Sequence, residues 1–272
     1  MAEADETSLQ VYMEGLSRVD RVIDDSGYAF TALDVIDKGL VNLDPIQGYS
    51  HLLFVNVSKN QIVDATPLMK LQYLVTLDLS YNAMTAPIAF PQQYLQSLDM
   101  SGNQLTTLQG LESSALSILK ISDNPELTSL VGLQGVPSLT TLEASRNNVE
   151  DISSLATDAS PKLEILHLDE NKLTTLSGLE NLPALTSLSL QQNNIETLED
   201  VQQLGQLSKL TTLDLTGNPV TQWEDFRLSM LLLVPTLTLL DEEPITDNDR
   251  LAAVELKRRR EAEAEEQAEA EE

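Results

Sequence analysis

Two histidines and no cysteine leave this chain little reactive chemistry. His167 stands between Leu166 and Leu168, and Asp169 follows two residues on along the same strand face, where an acid orienting a general base would sit. The pattern is read instead as a solvated or partner-contacting histidine. His51 begins another segment, and two histidines without a thiol do not make a metal cluster. No glycine-rich phosphate loop is present. Asn56-Val57-Ser58 has the form of a glycosylation acceptor, but Val57 occupies a strand core position. The sequence therefore predicts no catalytic residue, no cofactor, no metal and no small-molecule substrate. The group that recurs is the asparagine amide, which donates and accepts at once and can satisfy backbone groups trapped inside a coil.

Asn60, Asn82, Asn103, Asn124, Asn147, Asn171, Asn193 and Asn218 are separated by 22, 21, 21, 23, 24, 22 and 25 residues. Each closes the frame Leu-x-x-Leu-x-Leu-x-x-Asn-x-Leu, as in Leu163, Leu166, Leu168, Asn171 and Leu173. This is the signature of a leucine-rich repeat array. The Leu-x-Leu step has a period of two and predicts a short strand with both leucines on one face. The later spacing of three, as in Leu173, Leu176, Leu179 and Leu182, predicts a short helical or 3₁₀ return. A first unit, Leu33, Val35 and Leu40, has Lys38 in place of asparagine, as a capping repeat allows. The expected fold is α/β, a curved leucine-rich repeat solenoid with a parallel sheet on its concave side, and about nine units occupy residues 29–220.

Acidic residues number 43 against 16 basic ones, for a net charge of −27, and removing residues 261–272 still leaves −20. Distributed acidity disfavours nucleic acid and anionic membrane surfaces and suits a basic partner, although it also simply confers solubility. The start of the chain shows no apolar signal region, and no stretch approaches the ~20 apolar residues of a membrane span. The expectation is a soluble, intracellular protein.

Residues 1–28 are expected to form a capping helix, with Leu9, Met13, Leu16, Val19 and Val22 at helical spacing and Thr7 or Ser8 at its start. The helix would cover the first sheet edge or dock a partner. Two returns deviate, at Ala86 to Pro91, where prolines break any helix, and at residues 157–161. Residues 221–245 read as a C-terminal cap that packs Trp223. Residues 246–272 read as a charged helical tail capped by Thr246 to Asp249, with Leu251, Val254 and Leu256 as its few apolar positions. Its basic knot, Lys257 to Arg260, precedes an acidic run and has the composition of a localisation signal or of a solvated helix.

In each strand the residue between the leucines points out of the concave face. The candidate partner-binding residues in that column are Asn56, Asp78, Asp99, Lys120, Glu143, His167 and Asp214. Phe54, Ile118 and Ile165 in the preceding column are its exposed apolar groups, and a third column, including Ser58, Ser80, Ser101, Ser122, Ser145, Asp169, Gln191 and Thr216, is expected beside them.

Asn218-Pro219, Phe226-Arg227 and Pro235-x-Leu237-x-x-Leu240-Asp241 resemble the C-terminal cap of intracellular leucine-rich repeat proteins. The units and cap are similar to the group that includes the phosphatase-one regulator and the axonemal dynein leucine-rich light chain. A nearer resemblance is to the leucine-rich repeat proteins of ciliary radial spokes, of the leucine-rich repeat-containing protein twenty-three type. It is carried by Glu14-Gly15-Leu16-Ser17, Tyr49-Ser50-His51-Leu52 through Asn60, Thr66-Pro67-Leu68, Tyr73-Leu74, Thr175 to Glu180 and the final Glu/Arg-rich helix. The resemblance implies a non-enzymatic scaffold subunit bound to other spoke proteins in the axoneme of cilia and flagella. The group as a whole also includes soluble enzyme regulators and dynein-associated light chains.

Overall fold

The computed structural model describes residues 2–22, 27–156 and 161–271. β1 (Leu16–Arg21) comes first, and the period-two apolar positions then become strands β2 (Tyr28–Asp34), β3 (Phe54–Asn56), β4 (Thr76–Asp78), β5 (Ser97–Asp99) and β6 (Ile118–Lys120). They continue as β7 (Thr141–Glu143), β8 (Ile165–His167), β9 (Ser187–Ser189) and β10 (Thr212–Asp214), and β11 (Leu239–Leu240) and β12 (Glu243–Pro244) follow in the C-terminal cap. The twelve form one sheet in sequence order. β2 through β11 run parallel, while β1 and β12 add antiparallel at the two ends. Returns are 3₁₀ where the leucines space by three, as at Leu179–Asn181 and Gln202–Gln206. In the proline-bearing return the chain makes a parallel bridge between Ala89 and Glu112, and Phe90 is buried in the core. Residues 157–160, in the other deviating return, lie outside the described residues.

The asparagines hold the stack together. Asn171 donates from Nδ2 to Leu168 O (3.0 Å) in its own unit and to Ala144 O (2.9 Å) in the preceding one, while its Oδ1 accepts from Val149 N (3.0 Å). The same bridge recurs at Asn82, Asn103 and Asn193. Asn60 accepts from both Lys38 N and Leu40 N, so the first unit is tied in without an asparagine of its own. The residue before each asparagine is left-handed. Gly102 and Gly217 take that conformation freely, but Lys59, Tyr81, Asp123, Arg146, Glu170 and Gln192 take it too. A non-glycine residue there costs roughly 1–2 kcal/mol, which the buried amide bridge that follows offsets.

The N-terminal cap differs from the all-helical expectation. Helix α1 spans Ala2–Gly15 and then gives way to β1. Gly15 sits so close to Asp34 O that an added Cβ would lie 2.6 Å from it. The chain leaves the helix there and pairs with β2, Val19 opposite Phe30 and Arg21 opposite Tyr28. The spacing of Leu16, Val19 and Val22 is thus that of a strand and its exit. Leu9, Met13 and Val19 are exposed, whereas Tyr12 is fully buried and donates its hydroxyl to Asn42 O at 3.0 Å. Burial, with the Asp44 carboxylate nearby, pushes that phenol far above its usual pKa. A strand, rather than a helix, covers the first sheet edge.

At the other end, helix α2 (Phe226–Leu233) is followed by β11, β12 and helix α3 (Asp247–Glu271). Thr246 and Asp249 cap α3 reciprocally: Asp249 N donates to Thr246 Oγ1 (3.2 Å) and Thr246 N to Asp249 Oδ2 (2.8 Å). The helix packs through Ala253 and Leu256, and Leu251 and Val254 face solvent. Arg250 donates to Pro235 O and Leu237 O (2.9 and 2.7 Å). Arg259 reaches Asp225 (3.1 Å) and Arg260 reaches Ser229 (3.1 Å), so half of the basic knot fastens the tail to the cap. Trp223 is 53% exposed, not packed in the cap core, with Nε1 donating to Glu196 O.

The Arg227 guanidinium beside Asp249 (3.2 Å) holds that carboxyl down at about 2. A carboxylate held below its ordinary value stabilises the fold above about pH 4, and the contribution is lost as pH falls toward about 2. The melting-temperature gap between the wild-type chain and Asp249→Asn should accordingly be full at neutral pH and close across that window. A gap constant with pH would show that the ion pair does not anchor α3.

Candidate interaction surface

Each strand from β4 to β9 buries its central residue and turns the two flanking it outward, as the period of two requires. Register places Asn56, Asp78, Asp99, Lys120, Glu143, His167, Ser189 and Asp214 side by side across the concave face. The neighbouring row contains Phe54, Ile118 and Ile165. Phe54 is 37% exposed, and the Arg18 guanidinium carbon lies 5.2 Å from its ring centroid. Ile118, Ile165 and His167 are half-buried.

Several of the predicted polar residues have structural work. Asn56 Oδ1 accepts from Ser58 N (3.0 Å), Asp78 Oδ1 from Ser80 N (2.9 Å) and Asp99 Oδ1 from Ser101 N (2.8 Å). These local turns cap the strand exits. Burial raises the Asp99 carboxyl and neighbouring Asp78 adds to the rise, against the lowering hydrogen bonds from Ser101. Lys120 and Glu143 pair at 3.0 Å.

Asp214 is a correction. It is buried, accepting from Thr216 N and Gln191 Nε2 (2.9 and 2.6 Å), and offers a partner little surface. In the third column Ser58, Ser80, Ser122 and Ser145 are buried where the chain turns inward, whereas Ser101, Asp169 and Gln191 are half-buried and Thr216 is exposed. Asp169 accepts from Ser145 Oγ, Ser189 Oγ and Gln191 N, and among the described residues His167 is not one of its donors. The carboxylate stitches three units together and does not orient the imidazole.

The surface the repeat pattern missed is aromatic. Tyr28 and Phe30 are 77% and 43% exposed on β2, and Tyr94 is 41% exposed. His51 and Tyr73 stack with ring centroids 5.8 Å apart, and Tyr73 and Tyr94 follow at 6.4 Å. The signal was position: nine of the eleven aromatic residues fall before residue 95. Among the described residues no group of three or more His, Cys, Asp or Glu side chains could hold a metal ion, and no helix is long and apolar enough to cross a membrane.

Family models described as leucine-rich repeat match residues 177–269, 137–195, 94–114 and 70–90. The chain is 32% identical to bovine (Bos taurus) leucine-rich repeat-containing protein 23, over 90% of this chain and 78% of that one. The human (Homo sapiens) protein of that name is 30% identical, over 94% and 81%. This chain belongs to the leucine-rich repeat-containing protein 23 family. A shorter likeness, 39% over 51% of this chain and 50% of the other, is to U2 small nuclear ribonucleoprotein A' of Emericella nidulans. Among solved structures, the APL1 leucine-rich repeat domain superposes with a TM-score of 0.62 at 26% identity, covering 78% of this chain and 53% of that one. As a leucine-rich repeat protein of this family, the chain is a protein-interaction scaffold: its sheet offers a continuous row of side chains to a partner.

Proposed function

We propose that this protein is a non-enzymatic structural subunit of the radial spoke in the axoneme of motile cilia and flagella, cytoplasmic in origin and held among other spoke proteins. The observation that carries the reading is the extent of the family likeness. It spans 90% of the chain, whereas the U2 small nuclear ribonucleoprotein A' likeness spans 51%. The net charge of −27 fits partners with basic surfaces and disfavours nucleic acid and anionic membranes as ligands.

The test is fractionation of ciliated cells expressing the tagged full chain. The protein should stay with detergent-extracted axonemes and leave them on salt extraction together with spoke proteins. Recovery only in the detergent-soluble fraction, bound to a phosphatase, would favour the soluble-regulator reading. Recovery in the nuclear fraction would also overturn the spoke assignment.

A further inference from the structure

His51, Tyr73 and Tyr94 stack into one continuous aromatic surface. Of the nine aromatic residues that precede residue 95, only Tyr12 and Phe90 are buried. His51, Tyr73 and Tyr94 each stand immediately before the first leucine of a unit, so the solenoid stacks them into a ladder on the flank where the strands begin. At the ladder's N-terminal end a cavity of about 160 Å³ is lined by Ala29, Phe30, Tyr49, Ser50 and His51. Exposed tyrosine and phenylalanine clustered in this way are the residue types that anchor protein interfaces.

We infer that this flank, running from the Phe30–Tyr49–His51 cavity along Tyr73 and Tyr94, docks an extended, arginine- or lysine-bearing segment of a partner protein. The ladder supplies the spacing. Its steps of 5.8 and 6.4 Å are close to the ~6.5 Å between alternate side chains of an extended chain. A segment lying across the repeats thus presents every second residue to a ring. Charge supplies the side-chain type, because aromatic faces on a chain of net charge −27 favour cations over anions or neutral groups. The protein already makes one such contact internally, Arg18 over Phe54 on the adjoining concave face. The inference stands whether or not the chain is an axonemal subunit.

The test uses the full chain and three labelled peptides: arginine alternating with serine, an isomer with the same residues in two blocks, and proline alternating with serine. The alternating arginine peptide should bind about tenfold tighter than its block isomer, and the proline peptide should bind weakest. Tyr73→Ser/Tyr94→Ser should erase the preference while leaving the salt-sensitive binding that both arginine peptides share. If that variant melts early, Tyr94→Ser alone, at an exposed position, should lower the preference about threefold. Equal binding of the two arginine peptides, survival of the preference in both variants, or tightest binding of the proline peptide would each overturn the inference.

Discussion

Asn124→Ala should destabilise the protein by about 3–5 kcal/mol, more than most single truncations at a polar residue. The side chain is fully buried. Its Oδ1 is the acceptor for Leu105 N at 3.0 Å, and its Nδ2 donates to Ile121 O, Met100 O and Ser122 O at 2.9, 3.2 and 3.2 Å. Truncation strands the Leu105 N–H away from water, at roughly 1–3 kcal/mol. It also removes the donations to Met100 and Ile121 and leaves a void between units. Asn124→Asp separates the causes: it restores the volume and the acceptor but removes both amide donors and buries a charge, so it should be no better than alanine. Urea denaturation measures both variants, and an aspartate variant as stable as the wild-type chain would show that the amide donors do not matter.

Leu166→Ala should cost roughly 2–5 kcal/mol. Leu166 is the central residue of β8, fully buried, with Leu142 and Leu188 beside it in register. In a one-dimensional stack the damage is not local, because each unit rests on its two neighbours. The comparison is Ser187→Ala, one strand away on the outward face, where the change should stay within about 0.5 kcal/mol. The contrast rests on facing alone, since the two residues lie on adjacent strands of the same sheet. Thermal melts shifted equally by both substitutions would mean that the leucines do not form the interior.

The repeat frame made the solenoid legible because the same physical problem is solved once per unit. A buried strand exit needs an amide that both donates and accepts, and each of the eight frame asparagines from Asn60 to Asn218 marks one. The concave columns followed from the period of two, and register placed Asp78, Asp99, Lys120 and Glu143 together. What the frame could not give was which of those side chains are free. Asp78 and Asp99 cap their own turns, and Asp214 is buried by bonds to Thr216 and Gln191.

The ends of the array were harder to read. Leu16, Val19 and Val22 fit a helix as well as a strand exit, and only the close approach of Gly15 to Asp34 separates the two. Tyr12, the true anchor of α1, lies off the leucine pattern. A 4% aromatic content suggests a plain surface, yet His51, Tyr73 and Tyr94 join only because units of near-constant length bring them into one line. The basic knot read as solvated because Asp225 and Ser229, which receive Arg259 and Arg260, lie more than thirty residues earlier.

Each frame asparagine locks its unit to the one before it, and amide hydrogen exchange of the native chain tests this most directly. The N–H groups of Ile62, Met84, Leu105, Val149 and Leu173 donate to side-chain amides of the following unit. They should exchange only through unfolding of the array, as slowly as the N–H groups of Leu79, Ile121 and Leu168, which donate between strands. Exchange of those five at the rate of exposed turns would contradict it.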